Sequence, residues 1–467
     1  DDNPYLVFES LNAKGRPLTQ ADLIRNYFFM RININDQQRI YNELWHPMEE
    51  RLGDKLTEYI RHFLMCDGAF VRQADIYHSL KERVDVANAL SYLKDLAQKS
   101  CFYQKLIFPE KEEDSLIRKY LLRLNRIEVT TAYPLLLNIY TKYSCNQVTK
   151  EQFVEVLKLL ENFLIRRFIC SYPTNQLNKI FLSILPLTAN RIAADFVETI
   201  KNLLQTKSYP KDIEFRQKVN DSKLYGSGDR TLKTKLILEA IEEYFGHKEI
   251  IQFDNLTIEH VMPQTMTEWW KNHLGEDWEA TYELYIDNIG NLTLTAYNSE
   301  LSNSDFNTKK EFYASSNLQL NAYFIKTGTW KKQDIENRSY FLADLLVKIW
   351  PNFGSEDSGK FPGTIVTGTT PQALWILGQF IRVNSWREVL ESTLNTIADI
   401  DSEKFEILPT KFPAYIGINP NRFRKAKVLK NGYFFETNLS AKDIRRLCLQ
   451  ALESIELGAE DWKVQTT

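Results

Sequence analysis

The feature that most constrains the fold is a long run of helical periodicity near the start of the chain. From Leu18 to about Cys170, apolar residues recur at spacings of three and four, as in SLIRKYLLRLNRI and FVEVLKLLENFLIRRFI. Strand signals are scarce there. Thr19 precedes QADLIRNYFFM and Asp22 stands in its first turn, which is the pattern of a capped helix start. This part of the chain is therefore predicted to be helical.

The pattern changes after a second helical stretch, TLKTKLILEAIEEYFG, which ends at Gly246. The stretches IIQFDNLTIEHVMP and IGNLTLTAYN are typical of short extended segments. Between them lies EWWKNHLGEDWEATYELYIDN, whose composition favours helix and loop. A small α+β module is therefore predicted inside a mainly α-helical chain.

The last part of the sequence follows a stretch rich in Gly, Ser, Thr and Pro, PNFGSEDSGKFPGTIVTGTTP, which is typical of a linker. It contains a helical pattern in SWREVLESTLNTIADI and a hairpin pattern in VLKNGYFFETN, with Asn431 and Gly432 at the turn. A final helix has Ser440 as its cap and Asp443 at the capping-box position. We predict five regions: a helical region at 1–145, a second helical region at 146–250, the α+β module at 251–352, a linker at 353–370 and a C-terminal α+β domain of unknown role at 371–467.

Composition restricts the class of protein. The chain has 467 residues, too many for one ordinary core, and its 43% hydrophobic and 25% charged residues are typical of globular proteins. A net charge of -3 gives no global basic field, so a nucleic-acid partner requires a local basic patch. The five cysteines are scattered without a CxxC pair, which argues against a disulfide framework and against a zinc site. The sequence has no apolar run long enough for a bilayer and no visible signal peptide, so we expect a cytoplasmic protein without a membrane partner.

The stretch TIEHVMPQT carries one of only six histidines. Glu259 and His260 come first, Asn291 and Asn298 flank the strand-like LTLT, and Lys309 follows. A histidine can take a proton from water near neutral pH, carboxylate and amide oxygens suit Mg²⁺, and a lysine can hold a phosphate. These are the requirements of phosphodiester hydrolysis: a base, a metal that neutralises developing charge, and a phosphate anchor.

The run EHVMP, then IGNLTLTAYN, then FNTKK resembles the HNH (His-Me finger) nucleases. With ELSNSDFNTKKEFY it is more similar to the nuclease half of the GmrSD-type modification-dependent restriction endonucleases. RRFICSYPTNQLNKIF resembles the helical region that leads into that nuclease. FESLNAKGRPLTQADLIRNYF resembles the segment that follows the ParB-like, nucleotide-handling core of the family. The resemblance covers roughly residues 5 to 350.

The resemblance implies both a fold and a set of roles. The fold is mainly α, with a small ββα-metal HNH module and a C-terminal α+β domain. His260 is implied as the general base, and Asn298 and Glu259 as ligands of one Mg²⁺ or Mn²⁺ ion. Asn291 orients His260 or shapes its loop, and Lys309 steadies a phosphate. The implied function is a metal-dependent endonuclease or nickase of a bacterial or archaeal restriction or anti-phage system, acting on double-stranded DNA with or without base modification.

One departure from the family concerns nucleotides. The DGQQR-like signature associated with NTP handling is absent, and the chain opens with Asp1 rather than Met. We expect that an upstream NTP-handling region is missing and would be a partner of this chain. No nucleotide-binding residue is assigned, and the chain alone is expected not to hydrolyse NTP.

Several residues admit two interpretations. Arg422, Arg424, Lys425 and Lys427, with nearby aromatic residues, form either a DNA-facing patch or a solvated loop. Arg166 and Arg167, together, are either a helix-packing pair or DNA contacts. His273 is interpreted as structural. At the level of the whole chain, the alternative to an enzyme is a scaffold that binds DNA or a partner and carries a regulatory or inactive nuclease fold.

Overall fold

The structure is a computed structural model that describes residues 19–127, 130–247, 251–354, 369–376, 379–455 and 462–466. The chain divides into two compact units. The first comprises Asp1–Phe163 and Thr174–Lys207, and the second comprises Leu164–Pro173 and Ser208–Thr467. Among the described residues, no helix combines the length and the apolar character that crossing a membrane requires.

The described part of the first unit is helical and contains no assigned strand. Its helices are α1 Gln20–Phe29, α2 Ile34–Ile40, α3 His46–Leu52, α4 Leu56–Leu64, α5 Ile76–Arg83, α6 Ala89–Ile107, α7 Ser115–Arg126, α8 Tyr133–Ser144, α9 Lys150–Ile169, α10 Leu177–Thr188 and α11 Ala193–Gln205, with a π-helical turn at Tyr41–Trp45. The end of α9 already belongs to the second unit. Thr19 caps α1 as predicted, since its hydroxyl accepts the Asp22 N–H at 3.1 Å and the Asp22 carboxylate accepts the Thr19 N–H. The predicted helical character of this region is confirmed.

The described residues of the second unit form helices and three small antiparallel sheets. Its helices are α12 Asp212–Asp221, α13 Asp229–Tyr244, α14 Glu268–Leu274, α15 Trp278–Tyr285, α16 Asn298–Leu301, α17 Phe306–Ala314, α18 Gln319–Ile325, α19 Lys332–Ile349, α20 Trp386–Ile400, α21 Ser402–Phe405, α22 Ile407–Lys411 and α23 Ala441–Ser454. Its strands are β1 Thr257–His260, β2 Leu292–Thr295, β3 Pro371–Ile376, β4 Gln379–Arg382, β5 Ile416–Gly417, β6 Ala426–Val428, β7 Phe434–Glu436 and β8 Trp462–Thr466.

The two extended segments predicted around the histidine motif are confirmed as β1 and β2. They pair antiparallel, with Glu259 opposite Thr293 and His260 opposite Leu292. The turn that enters β2 requires glycine: a Cβ on Gly290 would lie 2.2 Å from the carbonyl oxygen of Ile335 in α19. Helix α19 therefore packs directly against the backbone of the IGN sequence and sets the position of β2.

The C-terminal part of the second unit contains the remaining two sheets, with strand orders β4-β3-β8 and β5-β7-β6. The predicted hairpin is confirmed as β6 and β7, with Gly432 at a positive φ of 84° in the turn. The predicted cap is also present, since Ser440 accepts the Asp443 N–H. Strands β3, β4, β5 and β8 were not predicted. Of the predicted linker, residues 355–368 lie outside the described residues.

The region predicted as a separate C-terminal domain packs closely against the α+β module. One hydrophobic cluster includes Trp270 and Tyr285 of the module together with Leu390 and Leu447 of α20 and α23. The guanidinium of Arg446 lies over the ring of Tyr285, 3.9 Å from its centroid. Both regions therefore belong to one compact unit with a shared core.

Candidate active site

His260 ends β1 and directs its ring to the side of the strand opposite to Glu259, because successive side chains of a strand alternate. Its Nε2 lies 3.2 Å from Oδ1 of Asp287. The ring of Tyr225 stands edge-on to the imidazole, with 4.6 Å between centroids. His260 is only 6% exposed, so these two neighbours largely define its surroundings.

Asp287 was missed by the sequence analysis. It lies between α15 and the turn that enters β2, 27 residues from His260 along the chain. Its carbonyl oxygen accepts the N–H of Leu224 at 2.9 Å, which ties it to the segment before α13. The carboxylate remains 24% exposed. Its position two residues before the IGNLTLT motif was the available signal, but sequence spacing alone does not show that it meets a histidine.

Asn291 is fully buried and uses all of its amide hydrogen-bonding capacity. Its Oδ1 accepts from the N–H of Met262 at 2.8 Å and from Nε1 of Trp330 at 3.0 Å. Its Nδ2 donates to the carbonyl oxygens of Met262 and Ile286, both at 3.0 Å. The side chain thus holds the turn after His260, which corresponds to the loop-shaping alternative.

Glu259 and Lys309 form a buried ion pair on the other side of β1. Lys309 is 0% exposed, and its ammonium also donates to the carbonyl oxygen of His260 at 2.9 Å. Burial raises the pKa of Glu259 and lowers the pKa of Lys309, and the charge of each partner opposes the shift of the other. The expected phosphate contact of Lys309 is not what the structure shows, because its ammonium is enclosed by protein.

Asn298 lies at the start of α16 and fastens that helix to the beginning of β1. Its Nδ2 donates to Oγ1 of Thr257 and to the carbonyl oxygen of Ile258, each at 3.2 Å. The residue is exposed, in contrast to Glu259.

The expected metal ligands, Glu259 and Asn298, do not fit a metal site in this arrangement. The charge of Glu259 is already compensated by the ammonium of Lys309, so a divalent ion would have to displace that cation. Asn298 turns its amide nitrogen, not its oxygen, toward β1. Within the described ranges, no group of three or more His, Cys, Asp or Glu side chains is arranged to hold a metal ion.

The C-terminal basic residues divide into paired and unpaired cations. Arg424 contacts Asp277 at 2.9 Å and Glu276 at 3.3 Å, and Lys427 contacts Glu391. Arg422 and Lys425 are exposed and make no ion pair with a described residue. Of the aromatic residues expected to stack on DNA, Tyr415 and Phe423 are buried, at 1% and 8% exposure, so the stacking interpretation does not hold for these two.

For Arg166, Arg167 and His273, the structural interpretations agree with the observed contacts. Arg166 is 0% exposed and donates to the carbonyl oxygens of Pro210 and Trp350. Arg167 is 3% exposed and donates to carbonyl oxygens of the same unit. The ring of His273 stacks on Trp269, and its Nε2 accepts the N–H of Trp330 at 3.3 Å.

A comparison with known families identifies the region that contains this site. Residues 209–345 match the family described as GmrSD restriction endonucleases, C-terminal domain. The chain carries a GmrSD-type C-terminal domain. The matched segment begins just before α12 and ends within α19, and it includes His260, Asp287 and Asn291. The resemblance inferred from the sequence motifs is thereby confirmed for this GmrSD-type domain. No curated protein matches the chain.

Proposed function

We propose that the GmrSD-type domain is a nuclease centre that hydrolyses phosphodiester bonds of double-stranded DNA, as an endonuclease or nickase of a restriction or anti-phage system. The observation that carries the proposal is the His260–Asp287 pair at the end of β1, within a domain named for restriction endonucleases. Two antiparallel strands followed by the helices α16 and α17 are the elements expected of an HNH, ββα-type module. This order of elements supports the proposal.

In the proposed reaction His260 removes a proton from the attacking water. If Nε2–H donates to the Asp287 carboxylate, Nδ1 is the unprotonated ring nitrogen and acts as the base. The carboxylate orients the imidazole and stabilises the positive charge that the ring acquires. Asp287 is therefore a positioning residue, and His260 is the catalytic residue.

The two buried residues implied as catalytic contribute through the position of His260. Asn291 holds the turn that follows it, and Lys309 binds its carbonyl oxygen. Neither side chain is exposed. We therefore propose that both are positioning residues and that neither touches the substrate phosphate.

The requirement for Mg²⁺ or Mn²⁺ implied by the resemblance remains a proposal. A bound divalent ion would supply charge neutralisation at the scissile phosphate. Glu259 is engaged by Lys309, and Asn298 turns its amide nitrogen toward β1, so neither implied ligand is arranged to hold the ion.

A second candidate function is a DNA- or partner-binding scaffold without catalysis. The engagement of Glu259 by Lys309 favours this alternative, because it removes an expected metal ligand from the site. The two functions differ in whether DNA is cut.

Conversion of supercoiled plasmid separates the two functions. We expect the unsubstituted chain to convert plasmid with Mg²⁺ or Mn²⁺ and to lose this activity in EDTA. The His260→Ala variant should cleave plasmid about 10²- to 10⁴-fold more slowly. His78→Ala is the matched control, because His78 is exposed in the first unit and pairs only with Glu82.

Equal rates for His260→Ala and the control would refute the assignment of the base. Absence of conversion by a folded parent would favour the scaffold. Full activity in EDTA would exclude the metal while leaving His260 to be judged by its own variant.

A further inference from the structure

A segment outside the GmrSD-type match lies against the helix that leads to the candidate site. The N–H of Ala414 donates to Oε1 of Glu283 at 2.8 Å, and the hydroxyl of Tyr415 donates to the carbonyl oxygen of Ala280 at 2.7 Å. Glu283 and Ala280 belong to α15, and Asp287 follows that helix by two residues. The C-terminal segment is therefore fixed next to the partner of His260.

A second set of contacts connects the same segment to the site from another side. The ammonium of Lys223 lies 4.9 Å from the centroid of the Phe412 ring, and Leu224, the next residue, donates its N–H to the carbonyl oxygen of Asp287. Phe412 is 1% exposed, so this contact is part of the packing. Phe412 is therefore connected to Asp287 through the adjacent residues Lys223 and Leu224.

Two exposed cations of the segment, Lys411 and Arg422, lie in this neighbourhood. Burial raises the pKa of Glu283 to about 8, and the charges of Lys223 and Arg422 oppose that rise. Burial lowers the pKa of Lys223, and the charge of Lys411 lowers it further. Lys411 directly precedes Phe412, which contacts Lys223. Arg422 is two residues from Arg424, which pairs with Asp277 just before α15.

Lys411 and Arg422, like Lys425, are exposed and make no ion pair with a described residue. By contrast, Arg424, Lys427 and Lys430 each face a carboxylate, namely Asp277, Glu391 and Asp399. An exposed, unpaired cation can neutralise a phosphate without first breaking an ion pair in the protein. Of these three unpaired cations, Lys411 acts through its charge on Lys223 and Arg422 acts on Glu283, and both of these residues lie within four positions of Asp287 or of a residue that contacts it.

We propose that Lys411 and Arg422 bind backbone phosphates of the DNA strand whose scissile phosphate reaches His260. The C-terminal segment, which lies outside the matched residues 209–345, is then a phosphate clamp of the nuclease site. Contacts of this kind position a strand without reading its sequence. The inference rests on the proposed nuclease function for the identity of the site, but its test measures binding separately from cutting.

The test is DNA binding by the full chain carrying His260→Ala, so that the probe is not cut. Anisotropy of a fluorescent duplex is measured over a range of salt concentrations for three proteins. They are this parent, the double variant Lys411→Gln/Arg422→Gln, and the matched control Lys427→Gln/Lys430→Gln. Both doubles remove two exposed positive charges from the same C-terminal region.

The clamp variant is expected to bind more weakly. The slope of log affinity against log salt concentration should fall in magnitude by about 2, which corresponds to two lost phosphate contacts. The control should keep the slope of the parent. When the same clamp substitutions are made in the chain that keeps His260, they should mainly raise KM for plasmid cleavage and leave kcat nearly unchanged.

An unchanged slope in the clamp variant, an equal change in the control, or absence of duplex binding by the parent would each overturn the clamp. A duplex-binding slope that falls in the clamp variant alone would support it even if His260→Ala proved to cut normally. In that case the assignment of the base would fail and the clamp would stand.

Discussion

The two sides of strand β1 differ in how their ionisable side chains are paired. Glu259 and His260 are neighbours in sequence and almost equally buried, at 4% and 6% exposure. Glu259 meets the enclosed cation Lys309, whereas His260 meets the partly exposed carboxylate of Asp287. The first pair satisfies a buried charge inside the core, and the second carries the proton transfer in the function that we propose. Burial alone therefore does not distinguish structural from chemical residues; the identity and exposure of the partner do.

The largest predicted effect tests the core side of the strand. Lys309→Met should lower the free energy of unfolding by about 3–5 kcal/mol, because it leaves Glu259 buried without a compensating charge. Adding Glu259→Gln should recover part of the loss, since it removes the unpaired charge. Urea unfolding followed by tryptophan fluorescence reports mainly on the second unit, because Trp45 is the only one of the nine tryptophans in the first unit.

Lys310→Met is the matched control for this substitution. Lys310 is the next residue of α17, and its ammonium donates to the carbonyl oxygen of Thr327 without a carboxylate partner. If the Lys309 variant were no less stable than this control, the Glu259–Lys309 ion pair would make no measurable contribution to the free energy of unfolding.

A smaller effect is predicted for the opposite side of the strand, and on activity rather than on stability. Asp287→Asn should slow plasmid cleavage by about 10- to 100-fold, a loss comparable to that found when the carboxylate partner of a metal-ligating histidine is replaced. Stability should change little, because the carboxylate is 24% exposed and the amide has the same shape. Rates measured over a pH series should also shift in profile, since the charge that stabilises the protonated ring is removed.

The comparison of the two sides would fail if Asp287→Asn unfolded the protein as strongly as Lys309→Met. It would also fail if the pH profile kept its shape and only the rate fell, because a purely structural role would produce that result.

The last prediction concerns Glu283 on α15 and the dependence of stability on pH. Burial raises the pKa of this carboxyl from 4.5 to about 8, so the folded state retains a proton that the unfolded state loses. Stability is therefore fully present below about pH 4.5 and falls as pH rises through about 8. Glu283→Gln should flatten this decline and should be more stable than the parent at pH 9, as urea midpoints at pH 5 and pH 9 will show. A parent whose stability does not decline over this interval would contradict the shift.

The local features of the chain were determined by neighbouring residues. The cap of α1 at Thr19, the cap of α23 at Ser440 and the turn at Gly432 each depend on contacts within a few positions. Strand β1, which carries Glu259 and His260, and its partner β2 were likewise predictable from short-range patterns. The matched GmrSD-type segment was recognisable because its motifs recur in a fixed order.

The tertiary structure alone decided which distant partner each ionisable side chain meets. Adjacent lysines at 309 and 310 have equivalent sequence signals, yet only the first reaches Glu259, because the rotation of α17 against β1 turns it inward. Asp287 meets His260 and Phe412 meets Lys223 for the same kind of reason. Capping and periodicity act over one or two turns of chain, whereas these pairings depend on how segments far apart in sequence pack around a shared core.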